Sequence, residues 1–169
     1  MRPLQLLLNF LGRLFISAIF ILSAGHKIFH WQEASAGLVH MLSNWQVAFE
    51  GNVDLYNFFS ACLYFSPVFL ALAIALELVG GIFVLTGFKA RLGAFFLILF
   101  LIPTTIIFHH FWYFDGIKRD IEFAMFLKNI AILGGLLYIL IYGSSVKKCS
   151  QQPHKLAKPS DQDAPEDAP

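Results

Sequence analysis

The sequence predicts an all-α integral membrane protein: a four-transmembrane-helix bundle with a partly helical external connection and a disordered C-terminal tail. Three observations predict it. Hydrophobic residues make up 57% of the chain and charged residues 14%, whereas soluble domains carry about a quarter charged residues. Four runs approach the roughly 20 apolar residues that cross a bilayer. The basic residues flanking those runs fall mainly on one side.

The first run spans about 6–29. It starts near Arg2 and ends in small residues, as a signal peptide would, but Arg13 interrupts it and it exceeds the usual apolar region of about 7–15 residues; it is read as a span. Residues 32–65 form the external connection, too polar to span and rich in aromatics. Trp31, Trp45, Phe49, Tyr56 and Phe58 suit the headgroup level. The segment from Val53 is expected to continue into the second span, about 66–86, as one long helix bent at Pro67. Spans three and four cover about 92–111 and 121–142. Residues 1–150 are thus one membrane domain. Residues 151–169, "QQPHKLAKPSDQDAPEDAP", hold too little apolar surface to offset ordering and are expected to be a disordered cytoplasmic tail.

Arg2, Arg13, Lys89, Arg91, Lys147, Lys148, Lys155 and Lys158 fall on one side of this arrangement. Lys27, Lys118 and Arg119 fall on the other, diluted by Glu33, Glu50, Asp54, Asp115 and Asp120. Both termini are therefore expected in the cytoplasm.

Charges inside the spans carry the functional signal, because an ionisable group at bilayer depth is costly and usually faces the bundle interior with a partner. Glu77 stands in "ALAIALELVGGIFVLTG", an otherwise uncharged stretch. About ten residues separate it from the turn after span two, which puts it about 15 Å deep. Arg13 and Lys128 both lie within snorkelling distance of that zone. Glu77 is expected to face inward, either paired with Arg13 or Lys128 or protonated by burial. Arg13, Glu77, Lys128 and Asn129 form the candidate intramembrane polar zone, a structural latch on one reading and a site for a quinone, a proton or a partner on the other.

His26 and His30 share a helix face, and His109 and His110 end the third span on the same side. With Glu122 they form a weak candidate cluster for metal or haem; no standard metal motif accompanies them, and no metal is assigned. Gly80, Gly81, Gly134 and Gly135, with Ser17, Ala24 and Gly25, are packing positions. Cys62 and Cys149 fall on opposite sides and cannot pair, and the absence of a CxxC motif removes a thioredoxin-like reading. No phosphate-binding glycine loop or nucleophile–base signature is present. The short mixed-charge tail gives no reason to expect nucleic acid.

Three stretches resemble the DoxX-type family of membrane proteins. "GRLFISAIFILSAGHKI", residues 12–28, is similar to the family's opening, with an Arg, an apolar run, then Gly and Lys. "ALELVGGIFVLTGFKARLGAFFLILFLIPTTIIFHHFW", ending at Trp112, resembles its second and third spans through Glu77, Gly80, Gly81, Gly87, Arg91 and His109 or His110. "FLKNIAILGGLLYILIYG", residues 126–143, resembles its last span through Lys128, Asn129, Gly134 and Gly135. The order and spacing of these loose motifs give the match its specificity. The resemblance implies a four-span fold in a bacterial inner membrane and an association with oxidoreductase systems, including a thiosulfate:quinone oxidoreductase subunit and complexes that join sulfur-transfer and oxidative-stress enzymes. The long aromatic connection and the Pro-rich acidic tail depart from the family pattern.

Two functions follow. In one, the chain is a membrane subunit of an oxidoreductase-linked system, contacting quinone or handling protons at the Arg13–Glu77–Lys128 zone. In the other, it is a non-catalytic scaffold or assembly factor recruiting redox or sulfur-transfer proteins. The expected surroundings are the lipid bilayer and such partners, with an oligomer compatible with either function. A small-solute transporter is disfavoured by the lack of an inverted repeat or broken helix.

Overall fold

A computed structural model describes residues 3–143. The tail from 151, and Cys149 before it, lie outside the described residues. Six α-helices follow in order: α1 Pro3–Phe29, α2 Trp31–Ala48, α3 Val53–Tyr64, α4 Ser66–Thr86, α5 Ala90–Phe108 and α6 Gly116–Tyr142, with a short 3-10 turn at Phe111–Tyr113 before α6. No strand occurs among the described residues. Helices α1, α4, α5 and α6 are the four long apolar ones. They are the transmembrane helices, close to the spans expected from the sequence. Their outward faces carry Phe15, Leu22, Leu72, Ile82, Leu99, Ile106 and Ile141 exposed, because lipid rather than protein solvates them.

The bundle runs α1–α4–α5–α6, with α1 and α6 scarcely touching. Glycines set the two tightest crossings. A Cβ on Gly81 would lie 2.7 Å from Ile21 Cγ1 on α1. A Cβ on Gly80 would lie 2.9 Å from the Leu97 side chain, and one on Gly93 would lie 2.8 Å from the Gly80 carbonyl oxygen. Adjacent glycines on α4 thus serve one neighbour each. Gly135 likewise receives Ile16, while Gly134 and Gly25 have open space, so packing roles hold for only part of the small residues singled out above. Gly93→Ala is expected to cost about 1–3 kcal/mol, since its new methyl would meet backbone that cannot rotate away. Gly134→Ala, within α6 and with open space beside it, is the matched control and should keep or slightly raise the melting temperature; equal behaviour of the two would refute the crossing geometry.

The connection differs from expectation at one point. The chain turns at Phe65, so α3 and α4 are separate helices rather than one bent helix, with Pro67 in the first turn of α4, where a missing N–H costs nothing. Helix α3 buries no residue completely. Helix α2 caps one end of the bundle: Trp31, Ala34 and Leu38 pack over Ala24, Leu70 and Ile74. Trp45, expected at the headgroup level, packs into the protein rather than standing free on its surface. It is buried, stacks with Phe49 and Phe59, and donates from Nε1 to the Ile107 carbonyl at 3.0 Å. The connection is thereby fastened to the end of α5.

Candidate functional site

The α4 sequence repeats small and apolar residues at three- and four-residue spacing, and Leu70, Ile74, Glu77, Gly80, Gly81 and Val84 form its buried stripe. Glu77 therefore faces the interior, only 1% exposed. Its partner is neither Arg13 nor Lys128 but Lys27. Lys27 Nζ donates to Glu77 Oε2 at 2.5 Å and to Ser23 Oγ at 2.9 Å, and lies 4.9 Å from the centroid of the Phe100 ring. The Lys27 side chain remains 24% exposed. Thus a closed carboxylate is joined to a lysine whose side chain is still partly exposed. Two of the three ammonium hydrogens are committed, with the Phe100 ring beside them.

The sequence reading placed Lys27 with the external charges and so missed it. The missed signal is directional: Cα–Cβ bonds tilt toward a helix N-terminus. A lysine at the far end of α1 consequently leans back into the bundle, and Ser23, one turn earlier, marks that path.

Arg13 lies too far along α1 to reach Glu77: fourteen residues separate it from Lys27, about 21 Å of helix. Its Nη2 instead donates to the Gly143 carbonyl at 3.1 Å, and Arg91 Nη2 donates to the Ile141 carbonyl at 2.8 Å. Both arginines hold the end of α6. Lys128 points outward and is exposed, with Met125 Sδ at 3.6 Å. Adjacent helical residues do not share a face, and here the inward place belongs to Asn129. Asn129 Nδ2 donates to Thr105 Oγ1 at 3.0 Å and Thr105 Oγ1 to the Leu101 carbonyl at 2.7 Å, a buried latch between α5 and α6. The four-residue polar zone is therefore split among an ion pair, a helix-end clamp, an outward lysine and a neutral latch.

The histidines also separate. His26 and His30 stack at 4.4 Å between centroids. His109 Nδ1 pairs with Glu122 Oε2 at 2.8 Å, and His110 Nδ1 donates to the Ile107 carbonyl at 3.0 Å. Among the described residues no group of three or more His, Cys, Asp or Glu is placed to hold a metal ion.

Comparison with known proteins gives a consistent family. The DoxX family model matches residues 8–110, which include Arg13, Lys27, Glu77 and the two histidines, His109 and His110, that follow α5. The chain is 36% identical over 74 residues to the inner membrane protein YqjF of Escherichia coli (strain K12), a match that covers 44% of this chain and 53% of that protein. The chain thus spans about half the length of that relative. No solved structure matches.

Proposed function

Since this chain belongs to the DoxX family, we propose that it is the inner-membrane subunit of an oxidoreductase-linked system and that Lys27 and Glu77 form its proton-handling site. The observation that carries the reading is the pair itself: a carboxylate enclosed in a transmembrane bundle whose single basic partner is partly exposed. Ionisable residues at such depth commonly mark proton or ligand paths. Lys27 is the edge at which a proton enters or leaves, and Glu77 is the inner store. A quinone head would be held by Lys27 beside Phe100, and when bound it would supply coupled electron and proton chemistry.

Copurification from native membranes, with mass spectrometry of proteins and lipids, is expected to return a redox enzyme and a quinone. In that complex Glu77→Gln should lower quinone-linked turnover at least tenfold while the assembly stays intact. Unchanged turnover would remove the proton role. The second reading, a scaffold that recruits partners, is favoured by the exposed Val53, Phe58 and Tyr64 of α3, and it prevails if partners copurify without any redox enzyme.

Both termini are proposed to face the cytoplasm, because Arg13, Lys89 and Arg91 gather at the end that carries them. A reporter that works only outside the cytoplasm, fused after Pro169, should stay silent.

A further inference from the structure

A cavity apart from the Lys27–Glu77 pair lies where α2 crosses the 3-10 turn and the start of α6. Its volume is about 360 Å³, within the usual range for small-molecule pockets. Trp45, Tyr113 and Phe114 supply flat apolar walls, and His40, Asn44, His110, Lys118 and Glu122 supply the polar groups, of which His110 and Glu122 are held from behind.

The hydrogen bonds of those two groups are fixed from behind. His110 is 6% exposed. Its Nδ1 carries the proton, because that nitrogen faces the Ile107 carbonyl at 3.0 Å and a carbonyl only accepts. The neutral ring therefore keeps Nε2 as an acceptor. No buried side-chain nitrogen or oxygen among the described residues lacks a partner, so Nε2, which has none, is not sealed off, and His110 lines the cavity. Glu122 Oε2 is engaged by His109, which leaves Oε1 as a second acceptor. A mainly apolar slot bordered by residues that offer these two acceptors suits a flat ring that carries a hydrogen-bond donor. Lys118 Nζ sits 3.9 Å from the Phe114 ring centroid, so with Glu122 the lining holds one charge of each sign and suits a ligand of no net charge.

We propose that this cavity is a binding site for a neutral aromatic hydrogen-bond donor of the phenol class, oriented by His110 Nε2 and Glu122 Oε1. Such a ring could come from a lipid-borne hydroquinone or from a water-soluble phenol.

The test uses the full-length protein in nanodiscs, with empty nanodiscs as the partition control. Binding of para-cresol is compared with that of its methyl ether by ligand-observed NMR and calorimetry. Para-cresol should bind at least tenfold more tightly, since the ether leaves a buried acceptor unpaired. Ala48→Trp, at an exposed wall position, should abolish cresol binding. Glu122→Gln keeps an oxygen for His109 but turns the second acceptor into a donor, and should shrink the cresol preference severalfold. Equal affinity for cresol and ether in the unaltered protein overturns the proposal, whatever the variants do to folding. So does unchanged cresol binding in a folded Ala48→Trp protein. Tighter binding of a long-chain hydroquinone assigns the ligand to the bilayer, and equal binding of the short phenol assigns it to the aqueous side.

Discussion

Lys27→Met is expected to destabilise the protein by about 3–5 kcal/mol, the typical loss when one member of a buried ion pair is removed. Methionine keeps the unbranched stem and the packing against Phe100, so the loss isolates the charge. Glu77 would be left enclosed with Ser23 as its nearest neutral donor, a poor substitute for an ammonium at 2.5 Å. Lys27→Met combined with Glu77→Gln should recover a large part of the loss, because both charges are then gone and the glutamine amide still reaches Ser23. The coupling, read from reversible unfolding in detergent, should be well above the few tenths of a kcal/mol seen for independent sites. Arg13→Ala should show no such coupling with Glu77→Gln, since its hydrogen bond is made at the other end of α1. Coupling to Arg13 instead of Lys27 would reverse the assignment. The partial exposure of Lys27 places the expected loss toward the lower end of the range.

This pair also marks the boundary of what the sequence disclosed. The spans were legible because a bilayer demands about 20 apolar residues in a row, and the inward face of Glu77 was legible because Gly80 and Gly81 share its stripe. The partner was not. Depth counted in residues drew in Arg13, which sits at the other end of α1, and Lys128, which turns out of α6, whereas pairing depends on which way a long side chain leans, and Lys27 leans down α1. The bend expected at Pro67 failed for a related reason. Proline suits a first helical turn as well as a kink, and only tertiary packing of α2 and α3 decides between them. The burial of Trp45 was not legible either, because an aromatic near a membrane boundary satisfies its indole N–H as readily from a protein carbonyl as from a lipid headgroup. Of the second site, the sequence grouped His110 with Glu122 but could not show the cavity, since α2, the 3-10 turn and α6 meet there only after folding.

Gly87→Ala is the second change expected to have a large effect, and two separate causes add. Gly87 ends α4 in the left-handed region, with φ of 72°, where a side chain costs about 1–2 kcal/mol. A Cβ there would also fall on the Arg13 guanidinium. Displacing that group breaks its bond to the Gly143 carbonyl, a charged-donor hydrogen bond worth about 1.5–3 kcal/mol. The sum is about 2.5–5 kcal/mol, and it would be felt at the end of α6 rather than within α4. Arg13→Ala alone should cost only the hydrogen-bond part. In the double variant the steric conflict has vanished, so Gly87→Ala should then add only the backbone part. The double loss must therefore fall short of the two single losses combined. Strict additivity would mean that the guanidinium does not occupy the space beside Gly87. Hydrogen exchange gives an independent readout: the amides from Leu137 to Tyr142 should lose protection in either single variant, while those around Glu77 keep theirs, because the clamp holds the open seam between α1 and α6 and the Lys27–Glu77 pair does not depend on it.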